Sequence, residues 1–187
     1  MEAWTKRLYD DLAADDANIE LFDADKEKGI LILYEMLRGE YRKLLSERYK
    51  ECMTYREIAE LYGCSYQNIE RKINRTLQRI KNSWCGGLIH GFDTFISECL
   101  VEDSVLSKKA WAPLKRSGIN TLEDMRAIGK DGLSKVRWLG KENLQEINDN
   151  LSWLFDEDTS YKIRIALKKR KWSDIKISEF LTEIGLI

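Results

Sequence analysis

Proline is almost missing from this chain: Pro113 is the only one in 187 residues, and glycine occurs just 11 times. So few turn-forming residues, with no succession of alternating Val-, Thr- or Tyr-rich runs, exclude a sandwich or barrel of short strands and predict an all-α fold. Histidine is represented by His90 alone, and the four cysteines, Cys52, Cys64, Cys85 and Cys99, lie far apart. That spacing lacks the paired ligands of a zinc site or the framework of a disulfide scaffold, so neither a metal nor any other cofactor is expected. There is also no signal peptide and no apolar run of membrane length. The expected setting is therefore a reducing cytoplasm with free thiols and no membrane partner.

What is present is charge on an apolar frame. Hydrophobic residues make up 43% and charged residues 34%, the composition of packed amphipathic helices rather than of a disordered polypeptide. The formal net charge of −1 does not point to nucleic acid, but its distribution is uneven. Asp10, Asp11, Asp15, Asp16, Glu20, Asp23, Asp25 and Glu27 crowd the start, whereas cations gather between Arg71 and Lys81 and again from Lys168 to Lys171. A local basic face, not the total, is what attracts a polyanion.

The stretch from Thr54 to Lys81 organises the protein. Thr54 followed by Glu57 forms a capping box that opens a short helix with Ile58, Ala59 and Leu61 as its apolar stripe. Gly63 supplies the left-handed residue that stops that helix, and Ser65 is placed to cap the next one. In the second helix Ile69, Ile73, Leu77 and Ile80 recur at helical spacing and face inward. The opposite side carries Tyr66, Gln67, Asn68, Glu70, Arg71, Lys72, Asn74, Arg75, Gln78 and Arg79. Two capped helices about a tight glycine turn, with amides and arginines on the free face of the second, form a helix-turn-helix suited to the major groove of DNA. Amides and guanidinium groups near the amino end reach base edges, and later cations suit phosphates.

The segment from Leu44 to Lys81 resembles region 4 of the bacterial sigma-70 family, the module that reads the promoter −35 element. By that resemblance Tyr66, Gln67, Asn68, Glu70 and Arg71 face base edges, with Ser65 at the head of the same surface, and Arg48, Thr54 and Arg75 lie near phosphates. Glu70 departs from the family, which often has a basic residue there. An acid can accept a hydrogen bond from a cytosine amine, so the preferred site need not be the usual −35 hexamer.

A second small unit is expected from Val105. It comprises a helix stopped at Gly118, a helix capped by Thr121, and a helix-hairpin-helix through VRWLGKENLQEI that turns at Gly140. Such a hairpin can offer backbone N–H groups to a phosphate, with Lys141 adding charge. Val136, Leu139, Leu144, Ile147 and Leu151 would pack it whether or not it touched DNA. From Val105 to Leu151 the sequence resembles the carboxy-terminal domain of the bacterial RNA polymerase alpha subunit, which holds the DNA minor groove and contacts activators and sigma region 4. Lys109 stands where the family has its principal minor-groove arginine, Ala112 and Trp138 replace asparagines, Glu142 replaces a lysine, and Asn143 replaces a serine. Gly140 and Lys141 keep the family's character. The resemblance thus implies DNA contacts at Lys109, Gly140, Lys141 and Asn143. Pro113 falls inside the first helix of this unit, where it removes a backbone donor.

The expected organisation is an acidic helical segment over 1–29, a region 4-like domain over 30–84, a connecting helix over 85–104, an alpha-tail-like domain over 105–153 and a helical extension over 154–187. Within it, Trp4 to Phe22 form an amphipathic helix, a break follows from Asp23 to Lys28, and a last helix starts at Asp174. Carboxylates are plentiful but none is grouped with His or Cys at catalytic spacing, so an enzyme is not expected. The two resemblances imply a DNA-binding regulator of transcription in a bacterial or phage-infected bacterial cell, with double-stranded promoter DNA and RNA polymerase holoenzyme as partners. Nothing resembles sigma region 2, so a complete sigma factor is not expected. The alternative is a mimic that binds RNA polymerase and inhibits or redirects it without reading DNA.

Overall fold

The computed structural model describes residues 2–14 and 21–155, and among these the protein is helical throughout, with one isolated bridge between Leu100 and Thr121 and no strand. It divides into two compact units, one spanning Met1–Cys99 and the other beginning at Leu100. The bridge to Thr121 and a Val101 N–H donating to Asn120 O at 2.9 Å tie Leu100 and Val101 into the second unit.

In the first unit α1 (Ala3–Ala13), α2 (Ala24–Met36), α3 (Gly39–Leu45), α4 (Tyr55–Tyr62), α5 (Tyr66–Lys81) and α6 (Phe92–Glu98) are joined by a π-helical turn over Ser46–Lys50 and a 3-10 turn over Gly86–His90. Helix α1 ends at Ala13 instead of running on to Phe22, and Asp15 to Glu20 of the expected helix lie outside the described residues. Phe22 is buried in non-helical backbone against Tyr9, with ring centroids 5.0 Å apart. The break expected from Asp23 to Lys28 is instead the first turn of α2. The Asp23 carboxylate accepts the Lys26 N–H at 2.9 Å, and Asp25 and Glu27 place negative charge at the positive end of the helix.

Helix α2 lies closest to the Gly86–His90 turn, and Gly29 is the reason it can. A Cβ at Gly29 would overlap the carbonyl oxygen of Leu88, a backbone atom that cannot swing aside. Asp25 reinforces the same junction by accepting the Asp93 N–H at 3.0 Å at the head of α6. Desolvation raises the Asp25 pKa above its ordinary value. Around this junction Ile30, Leu33, Leu88, Phe92 and Ile96 form the core. Helix α1 closes the unit by packing Trp4, Leu8, Tyr9 and Leu12 inward, and Tyr49 donates its hydroxyl to Asp11 at 2.6 Å. Burial and that carboxylate push the Tyr49 phenol far above the ordinary tyrosine value.

The second unit consists of α7 (Lys108–Arg116), α8 (Leu122–Leu133), α9 (Lys141–Leu151) and a 3-10 turn over Ser152–Phe155. Helix α8 starts at the expected Thr121 cap, which Asp124 completes into a capping box, and is interrupted at Gly129, where φ is +68°. Its core is Ala110, Leu114, Leu122, Met125, Leu133, Ile147, Leu151 and Leu154. No helix among the described residues is long and apolar enough to cross a membrane. The helix expected from Asp174 and the basic run from Lys168 to Lys171 lie outside the described residues.

Substituting Gly29→Ala should lower the stability of the first unit by about 1–3 kcal/mol, the usual cost of overpacking a close backbone approach. Urea unfolding followed by far-ultraviolet circular dichroism would read this as a drop in midpoint, and an unchanged midpoint would contradict the close approach.

Candidate nucleic-acid interface

The helix-turn-helix assembles from local chemistry. Thr54 Oγ1 accepts the Glu57 N–H at 3.3 Å while Glu57 Oε2 accepts the Thr54 N–H at 2.7 Å, closing the capping box that starts α4. Those bonds to Thr54 hold the fully exposed Glu57 carboxyl below its ordinary pKa. Gly63 ends α4 at φ +60°, a conformation that costs any residue with a Cβ, and its N–H satisfies the last carbonyls of the helix. Ser65 occupies the N-cap position of α5 in extended backbone, but its hydroxyl makes no capping bond, contrary to expectation. Ser65 is exposed, with its side chain on the entry to α5.

Ile58 and Ala59 are buried, but Leu61 is 65% exposed. At 100° per residue, the centre of the stripe lies between positions 58 and 59, and position 61 falls roughly 110° away from it, so Tyr62 and not Leu61 turns inward. In α5 the four expected apolar residues Ile69, Ile73, Leu77 and Ile80 are all buried, with Thr76 beside them.

The opposite face of α5 forms a shallow groove lined by Gln67, Glu70, Arg71, Asn74, Arg75, Gln78 and Arg79. Of the residues expected to face base edges, Tyr66, Gln67, Asn68 and Arg71 are exposed and Glu70 is partly so. Asn74 and Gln78 join the same groove; the periodicity places them on the free face but assigns them no contact.

The cations of this face are not equivalent. Lys72 is paired with Glu40 at 2.6 Å, and Arg79 donates to the Tyr41 hydroxyl with its guanidinium 5.0 Å from the ring. Among the described residues Arg71 and Arg75 make no ion pair, so they are the two cations left for an incoming anion. Arg48, expected near a phosphate, is half-buried: it donates to Met53 O at 3.0 Å and lies 4.6 Å from the Tyr55 ring. Its geometry braces the backbone entering α4. Thr54 is exposed but committed to its capping box.

In the second unit Lys109, Gly140 and Lys141 are exposed and Asn143 is half-buried. Pro113 does sit inside α7, and its missing N–H leaves the carbonyl of Lys109 without its helical donor. Asn143 supplies one, donating Nδ2–H to Lys109 O at 3.1 Å. The head of α9 is thereby fastened to the head of α7. Glu146 adds to the link by accepting both the N–H and the hydroxyl of Ser107. Asn143 thus has a structural task that its spacing alone did not reveal.

Residues 33–80 match the family model for sigma-70, region 4, and residues 98–153 match that for the C-terminal domain of the bacterial RNA polymerase alpha subunit. The protein joins a region 4-like module to an alpha-tail-like module. Among curated proteins, the DNA-directed RNA polymerase subunit alpha of Alkaliphilus metalliredigens is 37% identical over 59 residues, covering 32% of this chain and 19% of the relative. The same subunit of Clostridium beijerinckii is 39% identical over 59 residues, with the same coverage. That of Clostridium perfringens is 39% identical over 57 residues, covering 30% of this chain and 18% of the relative. The protein therefore spans about a fifth of the length of these relatives. No solved structure matches it. The matched modules are DNA-binding and polymerase-associated kinds, and neither is catalytic.

Two measurements check this local chemistry. Asn143→Ala should cost about 0.5–1.5 kcal/mol, the worth of one intramolecular hydrogen bond, and clearly less when Pro113→Ala restores the helical donor. A double-mutant cycle by chemical denaturation would show that coupling, and purely additive losses would refute it. Because Glu57 has a lowered folded pKa, its stabilisation is present above the ordinary glutamate range and is lost as pH falls through the folded value. Glu57→Gln should flatten that part of the stability–pH curve, which thermal melts between pH 3 and pH 6 would test.

Proposed function

We infer that this protein regulates transcription by binding promoter DNA, with α5 laid in the major groove. In this reading Gln67, Glu70 and Arg71 read base edges, and Arg75 fixes the helix on phosphate. The observation that carries the reading is that, among the described residues, Arg71 and Arg75 make no ion pair on a groove they share with Gln67, Glu70, Asn74, Gln78 and Arg79, when neighbouring Lys72 and Arg79 are held by Glu40 and Tyr41. Two guanidinium groups on an exposed helix face between Gln67, Asn74 and Gln78 suit guanine and adenine edges bordered by phosphate. Glu70 among them is the residue that would favour a cytosine and disfavour a phosphate at its position.

The second unit engages RNA polymerase or DNA flanking that site, as its resemblance to the alpha-subunit tail suggests. The relatives are themselves named as polymerase subunits, which supports polymerase as a partner. The DNA site has the character of a promoter −35 region, altered where Glu70 replaces the family's basic residue. The two units act in one cytoplasmic assembly at the promoter.

Selection from a randomised duplex pool should enrich a short motif. Gln67→Ala and Arg71→Ala should each weaken binding to that motif by about 1–3 kcal/mol and relax choice at one position, whereas Arg75→Ala should weaken all sequences and reduce the salt slope by about one. If the pool yielded no motif and the variants bound duplex as the native protein does, direct reading by α5 would have to be abandoned.

A further inference from the structure

The second unit has an apolar opening between α8, α9 and the 3-10 turn that follows them. It is a cavity of about 180 Å³, walled by Leu133, Leu144, Ile147 and Phe155, with Lys130 and Asn148 on its polar rim. Leu133 and Ile147 are buried, but Leu144 and Phe155 are only half-buried, so the unit keeps apolar surface in contact with water there. Lys130 is exposed, lies 5.8 Å from the centroid of the Phe155 ring and makes no ion pair among the described residues. The opening therefore suits an apolar group that carries an acid beside it.

The chain itself continues from the wall of this cavity. Residues 156–187 follow directly on Phe155, and they lie beyond the 98–153 that match the alpha-subunit tail. In the helix expected from Asp174, Ile177, Phe180, Leu181 and Ile184 fall three or four positions apart and share one face. Such a face needs an apolar partner. An apolar cavity of roughly 150 Å³ takes up benzene, so this one has room for the phenyl group of Phe180. Helical geometry sets Glu183 beside Phe180, about 60° round the axis, where it supplies the acid that Lys130 lacks.

We propose that the cavity is the docking site for this chain's own segment 174–187, with the Phe180 ring inserted among Leu133, Leu144, Ile147 and Phe155 and Glu183 paired with Lys130. Covalent linkage favours this occupant over any other. Residues 156–173 separate Phe155 from Asp174, a length whose random-coil span is about 23 Å, and a tethered partner at that reach has an effective concentration of roughly millimolar. The ring supplies the affinity, and the exposed ion pair fixes the orientation. Docking extends the alpha-tail-like module by an element beyond its matched residues, and the inference stands whether or not α5 reads DNA.

The test is hydrogen exchange of the full chain, read in peptides covering 130–134 and 144–148. Phe180→Ala should raise exchange in both stretches about tenfold, while Phe180→Leu should retain most of the protection. Peptides from α2 and α5 should be unchanged, which separates loss of docking from loss of folding. In the native protein a zero-length carbodiimide should join Lys130 to Glu183 within one chain, as mass spectrometry of the monomer band would show. The proposal is overturned if Phe180→Ala leaves exchange in both stretches unaltered, or if the monomer yields no link from Lys130 to the segment 174–187. It is equally overturned if that link occurs only in cross-linked dimers and the protection disappears on dilution, since the occupant would then be a second copy. None of these measurements involves DNA, so their failure leaves the reading of α5 untouched.

Discussion

Helix α5 has to satisfy two solvents at once, and most of the first unit follows from that constraint. Its inward stripe of Ile69, Ile73, Leu77 and Ile80 is fully or nearly fully buried. Burying such side chains contributes about 1.5–3 kcal/mol each, as an upper estimate against a compact unfolded state. Helix α4, helix α3 and the Gly86–His90 turn all lean on α5. The outward face is thereby presented rigidly and is relieved of any packing duty, which is the condition under which its residues can serve a ligand. Ion pairs on that face, such as Lys72 with Glu40, add little stability because both partners are exposed. Their effect is to select which cations remain available.

The second unit solves a different problem, a proline in a helix that has too few turns to spare a hydrogen bond. The carbonyl of Lys109 is rescued by the Asn143 amide, and the rescue ties two helix starts together. A residue that the alpha-tail resemblance marks for DNA is therefore also a brace, and a loss of DNA binding on its substitution would report both tasks. Trp138 is the converse: it is 69% exposed, lies against the Arg137 guanidinium and has a left-handed backbone that glycine would adopt without strain.

Much of the helix-turn-helix is legible in the sequence because its determinants are local. The Thr54–Glu57 box, the stop at Gly63 and the spacing of Ile69, Ile73, Leu77 and Ile80 each span at most a few turns, and each is present in the structure. The missed elements are those where two local signals compete. Asp23 to Lys28 has the charge density of a loop, yet Asp23 is an N-cap and the acids that follow suit a helix start. Leu61 has the composition of a core residue but lies at the wrong angle on an eight-residue helix.

The sequence by itself determined the helical class, the two modules and their order, and which face of α5 is polar, since periodicity and capping depend on residues only three or four positions apart. Only the tertiary structure decided which of the polar residues are free. That Glu40 claims Lys72, Tyr41 claims Arg79 and the Lys109 carbonyl claims Asn143 depends on pairs that no local pattern relates. The separation of available from committed side chains is a property of packing, because a hydrogen-bond partner distant in sequence is chosen by the fold that brings it within reach.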